Sequence, residues 1–147
     1  MLIEIREQPF DPWEYLAAYQ AQQVGNAARS GATAVFVGTM RDFNEGDNVQ
    51  AMYLEHYPGM TEAQLRALAD RAMQEYSLND VVIAHRVGAV TPAQTIVLVA
   101  VWSAHRTAAF AACRQIMETL KYQAPFWKRE TLSDGSSRWV EKNTPGN

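Results

Sequence analysis

Two periods of apolar and polar residues alternate along the chain, and the switches between them mark its elements. Leu2 to Arg6 alternates apolar and polar side chains, the period-two pattern of a short strand. Asp11-Pro12 opens a helix through about Gln23, with Asp11 as N-cap and the proline in the first turn. Ala32 to Met40 is apolar on both faces (Val35, Phe36, Val37), which predicts a buried strand. Arg41 to Asn48, RDFNEGDN, reads as a polar loop, and Val49 to Glu55 as the next strand. Thr61-Glu-Ala-Gln64 has the form of a capping-box helix start. Behind it, Leu65, Leu68, Ala69, Ala72, Met73 and Tyr76 have the spacing of one buried helix face.

Val81 to Ala84 is a short β-rich run, and Thr91-Pro92 marks a turn. Thr95 to Trp102 is nearly all apolar and predicts a central strand. Ser103 stands where it can cap a helix running to about Tyr122, with Ala109, Cys113, Ile116, Met117 and Leu120 inward; Pro125 ends it. Phe126 to Leu132 and Arg138 to Glu141 flank Asp134-Gly135, a hairpin signal. The order β-α-β-β-α-β-β-α-β-β, with about three helices, predicts an α+β fold with a mostly antiparallel sheet. No repeat, low-complexity tract or linker interrupts it, so residues 1–147 read as one domain.

Composition narrows the function classes. At 147 residues and 48% hydrophobic, the chain can bury a core without metal or disulfide staples. The net charge of -3 has the wrong sign for coating nucleic acid or an anionic membrane, so any basic site must be local. The single cysteine, Cys113, cannot form an internal disulfide, and with three scattered histidines it makes no metal-ligand cluster. Its mid-helix, inward position is that of an inert thiol. The N-terminus, MLIEIREQPFDP, lacks the apolar core of a signal peptide, and no stretch reaches the ~18 apolar residues of a membrane span. The expectation is a cytoplasmic protein with no metal-ligand cluster.

Four segments carry candidate chemistry. Ser103-Ala-His105-Arg106 puts two cationic side chains at a predicted helix N-terminus, where the dipole disfavours them. A phosphate or carboxylate held there would account for the pair; a solvated arginine and a packed histidine are the other reading. Lys121 and Lys128 are two of only three lysines, and they flank Tyr-Gln-Ala-Pro-Phe-Trp. They fit either an amine pair near a reacting carbonyl or a solvated pair, Lys121 complementing the helix end. Arg41 lies where a strand gives way to a loop, as binding groups often do, and equally as surface arginines do. Glu55 and His56 are strand neighbours pointing to opposite faces, so Leu54-Glu-His-Tyr-Pro-Gly-Met60 reads as structural.

His105 and Lys121 are sixteen residues apart on one predicted helix, roughly 24 Å at 1.5 Å per residue. That exceeds one small-molecule pocket. The helix therefore serves two sites, or its ends belong to two copies of one site in a two-fold dimer. The expectation is a homodimer with two composite sites.

Taken together, VFVGTMRDFN (35–44), LEHYPGM (54–60), HRVG (85–88), SAHR (103–106), the run from Met117 through KYQAPFWKRE (121–130), and RWVE (138–141) resemble the large, catalytic subunit of molybdopterin synthase. The resemblance spans roughly residues 30 to 141 in order and spacing. It implies an α/β hammerhead-like fold and a central homodimer. It also implies a small ubiquitin-like sulfur carrier at each end, giving a heterotetramer. The carrier's thiocarboxylate tail would sulfurate cyclic pyranopterin monophosphate to form the molybdopterin dithiolene of molybdenum cofactor biosynthesis. By the same resemblance Lys121 and Lys128 match catalytic lysines. Arg41, His105 and Arg106 match residues that hold the substrate, the last two coming from the neighbouring chain. Phe36, Met117 and Arg138 match pocket positions. The short tail after Lys142 is the one possible difference in length. Two rival readings are a non-catalytic adaptor for a ubiquitin-like tail or phosphorylated metabolite, and a single-stranded nucleic-acid binder suggested by PFWKR and SRWVEK. The acidic net charge weighs against the second.

Overall fold

A computed structural model of the chain describes residues 1–23, 25, 27–123 and 126–140. The elements in order are β1 (Leu2–Arg6), α1 (Pro12–Ala21), a 3-10 turn (Ala27–Arg29), β2 (Ala32–Thr39), β3 (Phe43–Asn44) and β4 (Asp47–His56). They continue with α2 (Met60–Glu75), β5 (Asp80–Arg86), β6 (Gly88–Val90), β7 (Thr95–Ser103), α3 (Arg106–Gln123), β8 (Phe126–Leu132) and β9 (Ser137–Trp139). The fold is α+β. Only the β1–β5 pair is parallel; every other described pair is antiparallel.

The strands form two sheets. The first has the order β1-β5-β7-β2. Its central strands, β5 and β7, are buried nearly throughout, around the apolar runs Val81–Ala84 and Ile96–Trp102. Helices α2 and α3 cover one face through Leu65, Leu68, Ala69, Ala112, Ile116 and Leu120 against Val81, Ile83, Val99 and Val101. Helix α1 covers the other, placing Tyr15, Leu16 and Tyr19 against Val82, Ala100 and Trp102. The second sheet runs β3-β4-β8-β9, with β6 also on β4, around Met40, Val49, Met52, Leu54 and Val90. No helix among the described residues is long and apolar enough to cross a membrane.

Several elements differ from the sequence pattern. β2 is an edge strand, and Val35 and Phe36 are 36% and 39% exposed. An apolar run signals a surface to be covered, not which neighbour covers it. The predicted loop 41–48 is a tight hairpin instead. Glu45 and Gly46 both take positive φ (52° and 81°), the geometry of a two-residue turn that joins twisted strands. Helix α2 begins before Thr61. Gly59 is its N-cap, and the Glu62 carboxylate accepts the Gly59 N–H at 2.9 Å. Thr61 is fully buried and accepts the Tyr57 N–H instead. β6 is too short to show a period. Pro125 and Glu141, which the pattern used as a helix stop and a strand end, lie outside the described residues.

Candidate active site

The two sheets meet beside the C-terminal end of α3, and the junction leaves a cavity of about 330 Å³. Each wall comes from a different element. β2 supplies Phe36 to Thr39, followed by Arg41; β5 supplies His85; β7 supplies Ile96 and Val97; α3 supplies Met117, Leu120 and Lys121; β8 supplies Phe126 and Lys128. A smaller hollow of about 130 Å³ shares Thr39, Arg41, Ile96, Lys121 and Lys128 with it and adds Asn44 and Glu130. Gly38 keeps the wall thin: a Cβ there would stand 2.8 Å from Val97 Cγ1 and 3.2 Å from the Phe36 ring.

The cavity thus gathers three cations. Lys121 sits in the last turn of α3, the end at which the helix dipole favours a positive charge. Lys128 is carried by β8, opposite Leu54 of β4. Burial holds its amine below the usual lysine range, the nearby Lys121 charge adds to that, and the Glu130 carboxylate opposes both. Arg41 lies over the Phe43 ring at 4.8 Å, which orients its guanidinium at the cavity rim. Glu130 is buried and already engaged, by Asn44 Nδ2 at 3.0 Å and Arg138 Nε at 3.3 Å. Such a pocket suits an anionic ligand, with one amine, Lys128, that gives up its proton more readily than an exposed lysine.

Five of the eight residues named from the sequence line this cavity together: Phe36, Arg41, Met117, Lys121 and Lys128. Arg138 does not line it. Its guanidinium bridges Asp47, Glu130 and the Asn44 carbonyl, so it braces the wall from behind. His105 and Arg106 are exposed at the opposite end of α3, where Ser103 Oγ accepts the His105 N–H. In a single chain they are a helix length from Lys121. Sequence reasoning passed over His85, Glu130 and Asn44. A polar ring on the same strand face as Val81 and Ile83 was the available signal for His85. The carboxylate and amide had none, because their placement depends on pairing between strands far apart in sequence.

Comparison with known proteins gives the family. The family model described as MoaE protein matches residues 5–123. The molybdopterin synthase catalytic subunit of Ralstonia nicotianae is 49% identical over 139 residues, covering 95% of this chain and 76% of that one. The structure of the molybdopterin biosynthesis MoaE protein from Burkholderia ambifaria superposes with a TM-score of 0.78 at 44% identity, covering 99% of this chain and 92% of the other. A complex of subunits 1 and 2 of molybdopterin-converting factor from Helicobacter pylori includes a chain that shares the fold, with a TM-score of 0.80 at 24% identity, covering 98% and 93%. With a model spanning most of its length and a relative at nearly half identity, the chain belongs to the MoaE family of molybdopterin synthase catalytic subunits.

Proposed function

We propose that this chain transfers sulfur from the thiocarboxylate tail of a small ubiquitin-like carrier to cyclic pyranopterin monophosphate, forming the dithiolene of molybdopterin in the cytoplasm. The observation that carries this reading is one cavity lined by Arg41, Lys121 and Lys128, with no cysteine among its lining residues. A carrier that brings its sulfur already activated needs no thiol nucleophile here. Cys113 is buried in the core, and burial pushes its thiol up to about 11.

In this mechanism Arg41, with His105 and Arg106 of a second copy, clamps the substrate phosphate through charge-assisted hydrogen bonds. Phe36 and Met117 form the apolar wall, and Arg138 holds Glu130. Lys121 stabilises the oxyanion that develops as the carrier tail is consumed. Lys128 moves protons at the pterin side chain as the ring phosphate opens. Its lowered proton affinity suits that role, because the neutral amine is then accessible without strong base. The active unit is a homodimer with a carrier at each end, a heterotetramer.

Reconstitution tests the reading. The chain mixed with thiocarboxylated carrier and pyranopterin should yield dithiolene. His105→Ala and Lys121→Ala chains, each inactive alone, should regain about a quarter to a half of the activity when mixed, because one of the two composite sites becomes intact. Mixed dimers without activity would remove the shared site. A Lys121→Arg, Lys128→Arg protein that still makes dithiolene at the wild-type rate would show that the pocket needs charge but not amines, and would remove the roles given to the two lysines.

A further inference from the structure

The inward face of β5 is apolar at Val81 and Ile83, both fully buried, and then carries a polar ring at His85, which is 5% exposed. Burying an imidazole is costly unless both ring nitrogens find partners. Nδ1 lies 2.7 Å from the Arg86 carbonyl oxygen, which can only accept, so Nδ1 carries the hydrogen and donates. In the neutral ring Nε2 is then an acceptor. The ring also stacks on Phe126, centroids 3.9 Å apart and planes 12° apart, two residues ahead of Lys128. A phenylalanine at 85 would supply the stacking. What it would not supply is the second nitrogen, in the wall of a cavity whose other polar side chains are mostly donors.

We propose that His85 is a positioning residue of the lysine pocket: anchored through Nδ1 to the Arg86 carbonyl and stacked on Phe126, it offers Nε2 as a neutral acceptor to the Lys128 amine. This deepens the proposed function and rests on it only for the consequence on turnover. The charged and titratable groups facing His85 are Lys128 on β8 and His56 on β4, with Lys121 of α3 and Arg41 across the same cavity. Burial and the Lys128 and His56 charges outweigh the Arg86 carbonyl and hold the ring neutral, down to about 4. An acceptor for the ammonium favours the charged form and so limits how far the cavity lowers its proton affinity.

Two variants separate the nitrogen from the ring. His85→Phe keeps the stack and loses the acceptor; His85→Gln keeps an acceptor and loses the stack. The chain has three lysines, at 121, 128 and 142, so reductive methylation with ¹³C-formaldehyde gives three lysine NMR signals beside that of the N-terminal amine, assignable with Lys→Arg variants. In the protein without carrier or pterin, Lys128 should titrate about one pH unit lower in the Phe variant than in wild type, and close to wild type in the Gln variant. Turnover should fall at least about tenfold in the Phe variant with KM nearly unchanged, and recover in the Gln variant. An unmoved Lys128 titration in His85→Phe would overturn the proposal. So would wild-type turnover in the Phe variant with loss in the Gln variant, which would make the ring packing alone. Long-range ¹H–¹⁵N spectra of the wild type need no variant: a protonated His85 at pH 7, or hydrogen on Nε2 instead of Nδ1, would also overturn it. The titration and the tautomer are read without turnover, so they stand apart from any failure to make dithiolene.

Discussion

The two ends of β5 treat buried charge in opposite ways. At its first residue, Asp80 is surrounded by donors: the Met1 ammonium at 2.8 Å, Tyr19 Oη at 2.8 Å, Gln23 Nε2 at 2.8 Å and the Val81 N–H at 2.9 Å. Burial raises its carboxyl, but the four hydrogen bonds together outweigh that and hold it below the usual range. At its other end, His85 faces a cavity lined by three cations and, among the described residues, one carboxylate that Asn44 and Arg138 already share. A buried charge matched by its neighbours ties the N-terminal segment to the sheet. Cations gathered from separate elements around open space form instead a candidate site for a ligand of the opposite sign.

This contrast can be broken by substitution. Removing a cavity amine should cost catalysis and leave stability nearly untouched. Lys121→Ala or Lys128→Ala should lower dithiolene formation by about 10²- to 10³-fold, the usual consequence of deleting an oxyanion donor or a proton-transfer group. Thermal melting should fall little or rise, because a like-charge pair is relieved. Wild-type rates in either variant would end the assignment.

Acid should separate the two ends by pH window. The folded His85 value of about 4 lies below the ordinary 6.5, so between them the unfolded chain binds more protons and stability rises with pH. Stability is complete above about 6.5 and declines as pH falls toward about 4, by about 3 kcal/mol in total. Urea titrations of wild type and His85→Phe should show this slope in the first and a flatter one in the second; equal slopes would refute the neutral buried ring. Asp80 acts lower. Its depressed carboxyl contributes stability above its unfolded value, near 3.9, and loses it as pH falls through the folded one.

The smallest effect is expected where the charge is structural. Asp80→Asn keeps the shape and weakens the contacts to the Met1 ammonium, Tyr19 and Gln23, so it should cost about 2 kcal/mol of unfolding free energy. Turnover at 25 °C should stay within about twofold of wild type, since Asp80 lies at the end of β5 away from the cavity. A large loss of activity in a still-folded Asp80→Asn protein would erase the distinction between the two ends.

The sequence determined most of what depends on near neighbours. The amphipathic spacing of α2 and α3, the Asp11 cap, the apolar run of β7 and the Asp134-Gly135 turn all appear in the structure, because each is decided by residues within a few positions. The motifs also brought Arg41, Lys121 and Lys128 to notice. Tertiary structure alone decided that they line one cavity, that β2 is an edge strand, and that His85 and Glu130 belong to the same walls. Those outcomes follow from strand pairing across the chain, such as β2 with β7 and β4 with β8, whose partners no local pattern specifies. The sequence could mark which side chains carry charge; only packing could decide which of them share one cavity.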